Sequence, residues 1–510
     1  MLFIYFLSDN ILLSLHSTNK LRVRHLRLLR QGGVHMWNCD VLLTATVMDN
    51  YNKTFIGFIC LVSAMGGLLF GYDWVVIGGA KPFYEVFFGI SDSPLMQGVA
   101  MSTALVGCLV GAMVAGVMAD RYGRRPLLVI SAVLFTLSAV GTGAVSDFTL
   151  FNIARLVGGV GIGVASALSP MYIAEISPSE VRGRLVSLNQ MTIVLGILGA
   201  QIVNWQLAEP VPEGFGVTEI LASWNGQTGW RWMFWAEAIP ATVFLVLSFI
   251  IPESPRWQMQ NGRELSAMAT MTRIGGEQYA RREADAMREN AGRSDASGGS
   301  LRTLFSHRYA SVLMLGVIVA VFQQWCGTNV IFNYAQEIFS AAGYSVGDVL
   351  FNIVITGIAN VVFTVVAFYT VDRWGRRSLM LLGAGGLGVV YLILGTCYYM
   401  NVTGFFMVML VVSAIACYAM SLGPVTWVLL AEIFPTRVRG VAMATCTFAL
   451  WTGCTTLTFS FPSLNASLGS SGTFWLYAVI CLSGLAYFLR RLPETKGKSL
   501  EDIEKEFENK

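Results

Sequence analysis

The sequence predicts an all-α membrane protein: twelve transmembrane helices in two pseudo-symmetric six-helix halves, with a cytosolic helical insert between them. Three observations predict it. Of 510 residues, 55% are apolar and 13% charged, whereas soluble domains carry about 25% charged residues. The apolar residues gather into twelve blocks of about 20, the length that crosses a bilayer core. Polar landmarks in the first half of the chain also return in the second half, in the same order.

This composition excludes a soluble enzyme, a nucleic-acid-binding module and a secreted disulfide scaffold. Of four histidines, His16, His25 and His35 fall in the first 35 residues, which leaves His307 for the rest. A zinc site or histidine-based catalysis needs more. The nine cysteines show no C-x-x-C spacing, and eight lie in or at the edges of apolar blocks. They read as unpaired, buried thiols. No metal and no organic cofactor is expected.

The elements follow in chain order. Met1 to Leu15 is apolar but short, without the basic start and cleavage site of a secretory signal. A basic run follows at Lys20, Arg22, Arg24, Arg27 and Arg30. The expectation is that Met48 is the true start and residues 1–47 are a non-native or disordered extension. The alternative is a genuine cytosolic or targeting segment. Residues 48–251 form the N-terminal half, with spans at 55–79, 96–118, 126–146, 149–171, 186–207 and 231–251. Residues 252–308, rich in Arg, Glu, Ala and Gly, read as a cytosolic linker of short helices ending in a flexible Ser294–Ser300 stretch. The C-terminal half, 309–491, has spans at 309–334, 348–371, 378–399, 404–431, 440–462 and 473–490, and 492–510 is a cytosolic tail.

Lys and Arg in short loops set the orientation. One side carries Arg121, Arg124, Arg125, Arg182, Arg184, Arg373, Arg376, Arg377, Arg437 and Arg439, plus nine arginines in the linker. The opposite loops hold Lys81 alone. Both termini and the linker are therefore expected in the cytoplasm, with the chain passing many times through a plasma membrane.

The repeat is read from three landmarks. Asp120-Arg-Tyr-Gly-Arg-Arg125 returns as Asp372-Arg-Trp-Gly-Arg-Arg377, 252 residues on. Glu175 with Arg182-Gly183 returns as Glu432 with Arg439-Gly440, 257 residues on. Pro252-Glu-Ser-Pro-Arg256 has a weaker echo in Pro493-Glu-Thr-Lys-Gly497. Parallel halves of this kind are a transporter architecture, with the substrate site between them near the midplane.

Polar residues inside the spans mark candidate sites, because a charge at a helix centre costs about 2.5–3.5 kcal/mol on insertion scales. Asp73 and Arg155 lie deep in spans one and four, and Glu237 in span six. A carboxylate that pairs with and parts from an arginine changes how readily it holds a proton, which proton coupling requires. Glu237 reads equally as a buried structural residue or an auxiliary coupling one. Span five presents Gln190, Ile197 and Gln201 on one face. Span seven offers Gln323, Gln324, Asn329 and Asn333, with Gly327 placed to unwind the helix so that Gln323 and Asn329 reach one ligand. Asn360, Trp427 and Trp451 lie in spans eight, ten and eleven, and Pro424 makes span ten a hinge. Planar amides suit sugar hydroxyls, and flat aromatic rings suit the C–H face of a sugar. Gly383–Gly388 fits a dinucleotide fingerprint but lies inside span nine with no strand before it, so nucleotide binding is set aside. The G-x-x-x-G pairs at 67–71, 107–111 and 159–163 read as close packing within the bundle.

Together the doubled D-R-x-G-R-R loop, P-E-S-P-R and P-E-T-K-G resemble the major facilitator superfamily, and within it the sugar porter family, over about residues 50–505. Gly66-Gly-Leu-Leu-Phe-Gly-Tyr-Asp73 looks most like the bacterial D-xylose–proton symporters. The resemblance implies the major facilitator fold, Asp73 as proton carrier and Arg155 as its modulator. It implies sugar contacts from Gln190, Gln323, Gln324, Asn329, Asn360 and Trp427, with Phe70 and Trp451 as apolar contacts. It implies a cytoplasmic gate of Asp120, Arg121, Arg125, Glu175, Arg182, Asp372, Arg373, Arg377, Glu432 and Arg439. Within that gate Glu175, Arg182, Glu432 and Arg439 would pair across the halves and part as the protein opens inward. Ile197, Asn333 and Leu450 depart from the xylose pattern, and Ala419 lacks the acid of animal glucose carriers. These departures leave a sugar in place and weaken xylose. The expected function is import of a monosaccharide, best D-xylose, by proton symport with alternating access. The expected partners are the sugar, protons and the lipid bilayer, with no nucleic acid and a monomeric state. Rival readings are a hexose symporter, a uniporter indifferent to a protonophore, a sugar sensor (which would carry a long signalling tail) and a membrane enzyme.

Overall fold

Apolar blocks of this length satisfy their backbone groups internally only as helices, and among the described residues the structure holds no strand. The computed structural model describes residues 51–212, 216–294, 304, 307–344, 346–434 and 438–496. The chain divides into two units, 1–53 and 54–510, and the helical bundle belongs to the second. The expectations for residues 1–47, for 295–300 and for the tail beyond 496 fall outside the described residues.

In the N-terminal half, α1 is Lys53–Phe87, α2 Pro94–Tyr122, α3 Arg124–Ala144, α4 Phe148–Ile176, α5 Arg182–Leu207 and α6 Trp230–Ser248. In the C-terminal half, α7 is broken into His307–Trp325, Thr328–Asn333 and Ala335–Ala341. Then come α8 Val346–Trp374 and α9 Arg376–Tyr399. Helix α10 is Phe405–Met420 continued by Leu422–Ile433 after a break at Ser421. The last 53-residue stretch, Arg439–Arg491, is interrupted at Gly469, where φ is +67°. Its two ends lie on the same side of the bundle, because Glu432 bonds both Arg376 and Thr495, so the chain reverses at Gly469. It is therefore counted as α11, 439–468, and α12, 470–491. Ten described stretches are long and apolar enough to cross a membrane. The split at Gly469 and the 19-residue α6, which carries Arg231 and Glu237, bring the count to twelve.

Three local results differ from the sequence expectation or refine it. Helix α1 runs on to Phe87, so Lys81 is buried inside it rather than in a loop. The expected loop 463–472 is helical except at Gly469. The α10 break at Ser421 precedes Pro424 by three residues, where the proline ring and its missing N–H disturb the preceding turn.

Small residues let the helices approach. A Cβ on Gly71 would overlap the Ile193 carbonyl of α5, and one on Gly107 or Gly159 would overlap the α4 or α2 backbone. This is the close packing expected of small-residue faces. The halves meet through α2 against α11, where Gly98 faces Phe459, and α5 against α8, where Gly357 faces Gln201. Outward-facing Val117, Ile239 and Phe405 are each at least 70% exposed, a surface that suits lipid. The linker forms helices Pro255–Gln260 and Glu264–Ser294, the latter broken at Gly275–Gly276. Ala267, Met271, Ala280 and Ala284 make a small core of its own.

Candidate functional site

Helix α1 delivers Asp73 and α4 delivers Arg155 to the same depth, and both are at most 2% exposed. The Arg155 guanidinium donates to Asp73 Oδ1, and its second nitrogen donates to the Asp73 carbonyl at 3.3 Å. The Phe234 ring of α6 covers the guanidinium at 5.5 Å. Glu237, one turn further along α6, is also buried and lies near Asp73. Asp73 Oδ2 has no hydrogen-bond donor among the described residues. Beside the pair is a cavity of about 10 Å³ lined by Asp73, Trp74, Ile77, Met101, Arg155 and Asn333, close to the space one water needs. Two carboxyls, one arginine and room for a water form an assembly that can hold or pass a proton.

The broken α7 brings the amides together. Gly327, at φ +86°, ends the first segment. Gln324 Nε2 donates to Gln323 Oε1 at 2.6 Å, and Asn329 Nδ2 donates to Gln324 Oε1. On an unbroken helix Gln323 and Asn329 would point apart, and here they belong to one hydrogen-bonded row. Asn360 on α8 is buried, and Gln190 on α5 and Trp427 on α10 are half-buried. The structure gives those three no bond to the row among the described residues. Phe70, Trp74 and Trp451 form an aromatic wall from α1 and α11, with ring centroids 5.7–5.9 Å apart. Trp74 was not singled out in the sequence. Its signal was the i+4 spacing from Phe70 and its place next to Asp73. Of the departures from the xylose pattern, Asn333 lines the ion-pair cavity and Ile197 is buried on α5.

At the basic end the repeat is built twice. Glu253 accepts from the backbone N–H groups of Arg124, at 2.9 Å, and Arg125 at the start of α3. Glu494 accepts from those of Arg376, at 2.9 Å, and Arg377 at the start of α9. Free N–H groups and the helix dipole favour a carboxylate there. Arg124 pairs with Glu175 at 2.9 Å, and Arg376 with Glu432 at 3.0 Å. Ser254 and Thr495 bond the same two glutamates. The described bonds of Glu175 and Glu432 thus stay within one half, whereas the sequence expectation had them pair across the halves. The physical reason is the tight turn at Gly123 and Gly375, which aims the middle arginine of the motif back along its own half. Arg124 and Arg376 are accordingly the arginines that hold these glutamates, beyond the Arg121, Arg125, Arg373 and Arg377 expected. Arg125 and Arg377 donate instead to the carbonyls of Phe249 and Leu489. Arg182 and Arg439 reach the carbonyls of Ser177 and Phe434 in their own halves. Asp120 is 78% exposed and 3.4 Å from Arg124, and Arg121 lies over the Tyr122 ring. Lys496 donates to the Arg373 carbonyl. The Asp372 side chain falls outside the described residues.

Known proteins resemble the chain over most of its length. The family model described as "Sugar (and other) transporter" matches residues 59–507. The chain is 36% identical over 487 residues to the D-xylose-proton symporter of Escherichia coli (strain K12), covering 89% of this chain and 96% of that protein. It is 36% identical over 454 residues to the arabinose-proton symporter of Bacillus subtilis (strain 168), covering 88% and 95%. The inward open conformation of the E. coli xylose transporter superposes with a TM-score of 0.77 at 34% identity, covering 88% of this chain and 99% of that one.

Proposed function

The chain belongs to the sugar transporter family of the major facilitator superfamily, and from that premise we propose that it imports a monosaccharide with protons by alternating access. The observation that carries the reading is the buried Asp73–Arg155 pair, with one carboxylate oxygen unpartnered among the described residues, in the same bundle as the amide row of α7. A proton arriving at Asp73 cancels the charge that holds Arg155 and frees α1 from α4. Sugar hydroxyls replace the mutual bonds of Gln323, Gln324 and Asn329, and Gln190, Asn360 and Trp427 close on the sugar from α5, α8 and α10. Phe70 and Trp451 take its apolar face. The halves then rock about the site, and the charged cages at the basic end shift against each other to open the cytoplasmic side. Glu237 receives or steadies the proton beside Asp73.

In this reading the basic end and both termini face the cytoplasm of a bacterial inner membrane, and one chain suffices. The protein is a transporter and not an enzyme. D-xylose is the best substrate, supported by the xylose symporter relative. A hexose is the second reading, favoured by Ile197, Asn333 and Leu450, which depart from the xylose pattern.

Uptake of radiolabelled xylose and glucose into transport-deficient cells, with and without a protonophore, tests both. Protonophore-sensitive uptake of one sugar is expected. Uptake indifferent to the protonophore would make the protein a uniporter. No uptake of either sugar, with protein present in the membrane, would overturn the substrate.

A further inference from the structure

Lys81 was the lone basic residue of the arginine-poor loops, and the structure buries it. It is 1% exposed inside α1. Its ammonium lies 2.9 Å from Glu85 Oε1, one turn on along the same helix. It also donates to Glu337 Oε1 on the last segment of α7, in the other half. The Tyr334 ring lies 5.4 Å from the ammonium, and the Tyr334 hydroxyl donates to Thr458 of α11 at 2.7 Å. This ion pair therefore ties α1 to the far end of the broken helix, whereas the described cage bonds at the basic end stay within one half.

Resting on the alternating-access reading, we propose that Lys81, Glu85 and Glu337 form a charged latch that closes the outer mouth, and that it must part before sugar enters. The excess of acids over lysine has a physical purpose in such a device. A buried charge that loses its only partner is strongly destabilising. When Glu337 leaves, Lys81 keeps Glu85, its neighbour on the same helix, and is never orphaned. Glu337 is the member able to leave, because its side chain is 27% exposed against 9% for Glu85 and 2% for Lys81, and it is held through Oε1 alone, its buried Oε2 having no partner among the described residues. The segment that carries it, Ala335–Ala341, is set off by breaks at Gly327 and Tyr334, so it can swing without unfolding a longer helix. Lys81 stands eight residues beyond Asp73 on α1, about 12 Å at 1.5 Å per residue. Glu337 stands eight residues beyond Asn329. The latch thus spans the two elements that carry the proton pair and the amide row.

The test reads opening of the outer mouth directly. Ile77 is 2% exposed, lines the cavity beside Asp73 and lies one turn before Lys81. Ile77→Cys is placed in the full chain with the native cysteines replaced, and intact cells are treated with a membrane-impermeant maleimide. Lys81→Met and Glu337→Gln are each expected to raise the labelling rate several-fold. The swap Lys81→Glu with Glu337→Lys is expected to return it toward the parent. Glu85→Gln is expected to leave it unchanged or lower it, since Glu337 still holds Lys81 in the closed state while the open state loses its remaining partner. Labelling unmoved by Lys81→Met and Glu337→Gln, at parental abundance in the membrane, would overturn the latch. A rise with Glu85→Gln equal to that with Glu337→Gln would overturn the division of roles. Sugar uptake by the same cells is scored separately, so a wrong substrate leaves the labelling result standing.

Discussion

At the scale of single residues, a buried carboxylate earns its place by what it does when its charge changes. Asp73 is held by Arg155 through one oxygen, while the other has no donor among the described residues. Asp73→Asn keeps the shape and removes the charge. It is expected to abolish protonophore-sensitive accumulation while exchange of labelled for unlabelled sugar continues, as measured in proteoliposomes. Loss of exchange as well would make Asp73 a structural residue. Gln324 is the centre of the amide row, donating to Gln323 and accepting from Asn329. Gln324→Ala is expected to weaken sugar binding about fivefold, since a net hydrogen bond contributes about 1 kcal/mol and tenfold is about 1.4 kcal/mol. Unchanged affinity by titration calorimetry would remove it from the site. The candidates at this scale were legible because an ionisable or amide residue inside an apolar span stands out by composition alone. Trp74, Arg124 and Arg376 were harder to read, because their roles depend on which way a turn aims them. Adjacent arginines in one motif look alike until the backbone is drawn.

At the scale of elements, glycines decide where helices stop. Gly123 and Gly375 adopt φ of +99° and +85°, a region costly for other residues. A Cβ on either would also meet a carboxylate oxygen, of Glu253 or Glu494. Gly375→Ala is therefore expected to lower stability by about 1–3 kcal/mol, read as a lower unfolding midpoint in detergent. A midpoint equal to the parent's would show that the Glu494 cap is dispensable. The Gly327 break was legible, because a glycine between amides that must converge is a place for a helix to unwind. The Gly469 reversal was not. Residues 463–472 contain Ser, Asn and Gly and read as a loop, yet they continue the helix on both sides of one positive-φ residue. Lys81 was misplaced for a similar reason. A lysine after an apolar run looks like the end of a span, and only partners from two helices make its burial possible.

At the scale of the whole molecule, the duplication visible in the sequence becomes two charged cages with the same wiring, one in each half. Their environments are not the same. Arg124 and Glu175 have side chains 6% and 9% exposed, whereas Arg376 and Glu432 are 13% and 27% exposed. Removing one partner of a buried pair costs about 3–5 kcal/mol, because the other charge is left uncompensated. Arg124→Met is expected to approach that figure. Arg376→Met is expected to cost less, because water reaches Glu432. The described bonds of each cage stay inside its own half, so the two costs should add to within about 0.5 kcal/mol in the double variant. Unfolding midpoints of the purified single and double variants check this. A double variant markedly more or less stable than the sum would mean that the halves press on each other at the basic end. In that case the cages act as one gate, and the independence implied by their separate wiring would fail.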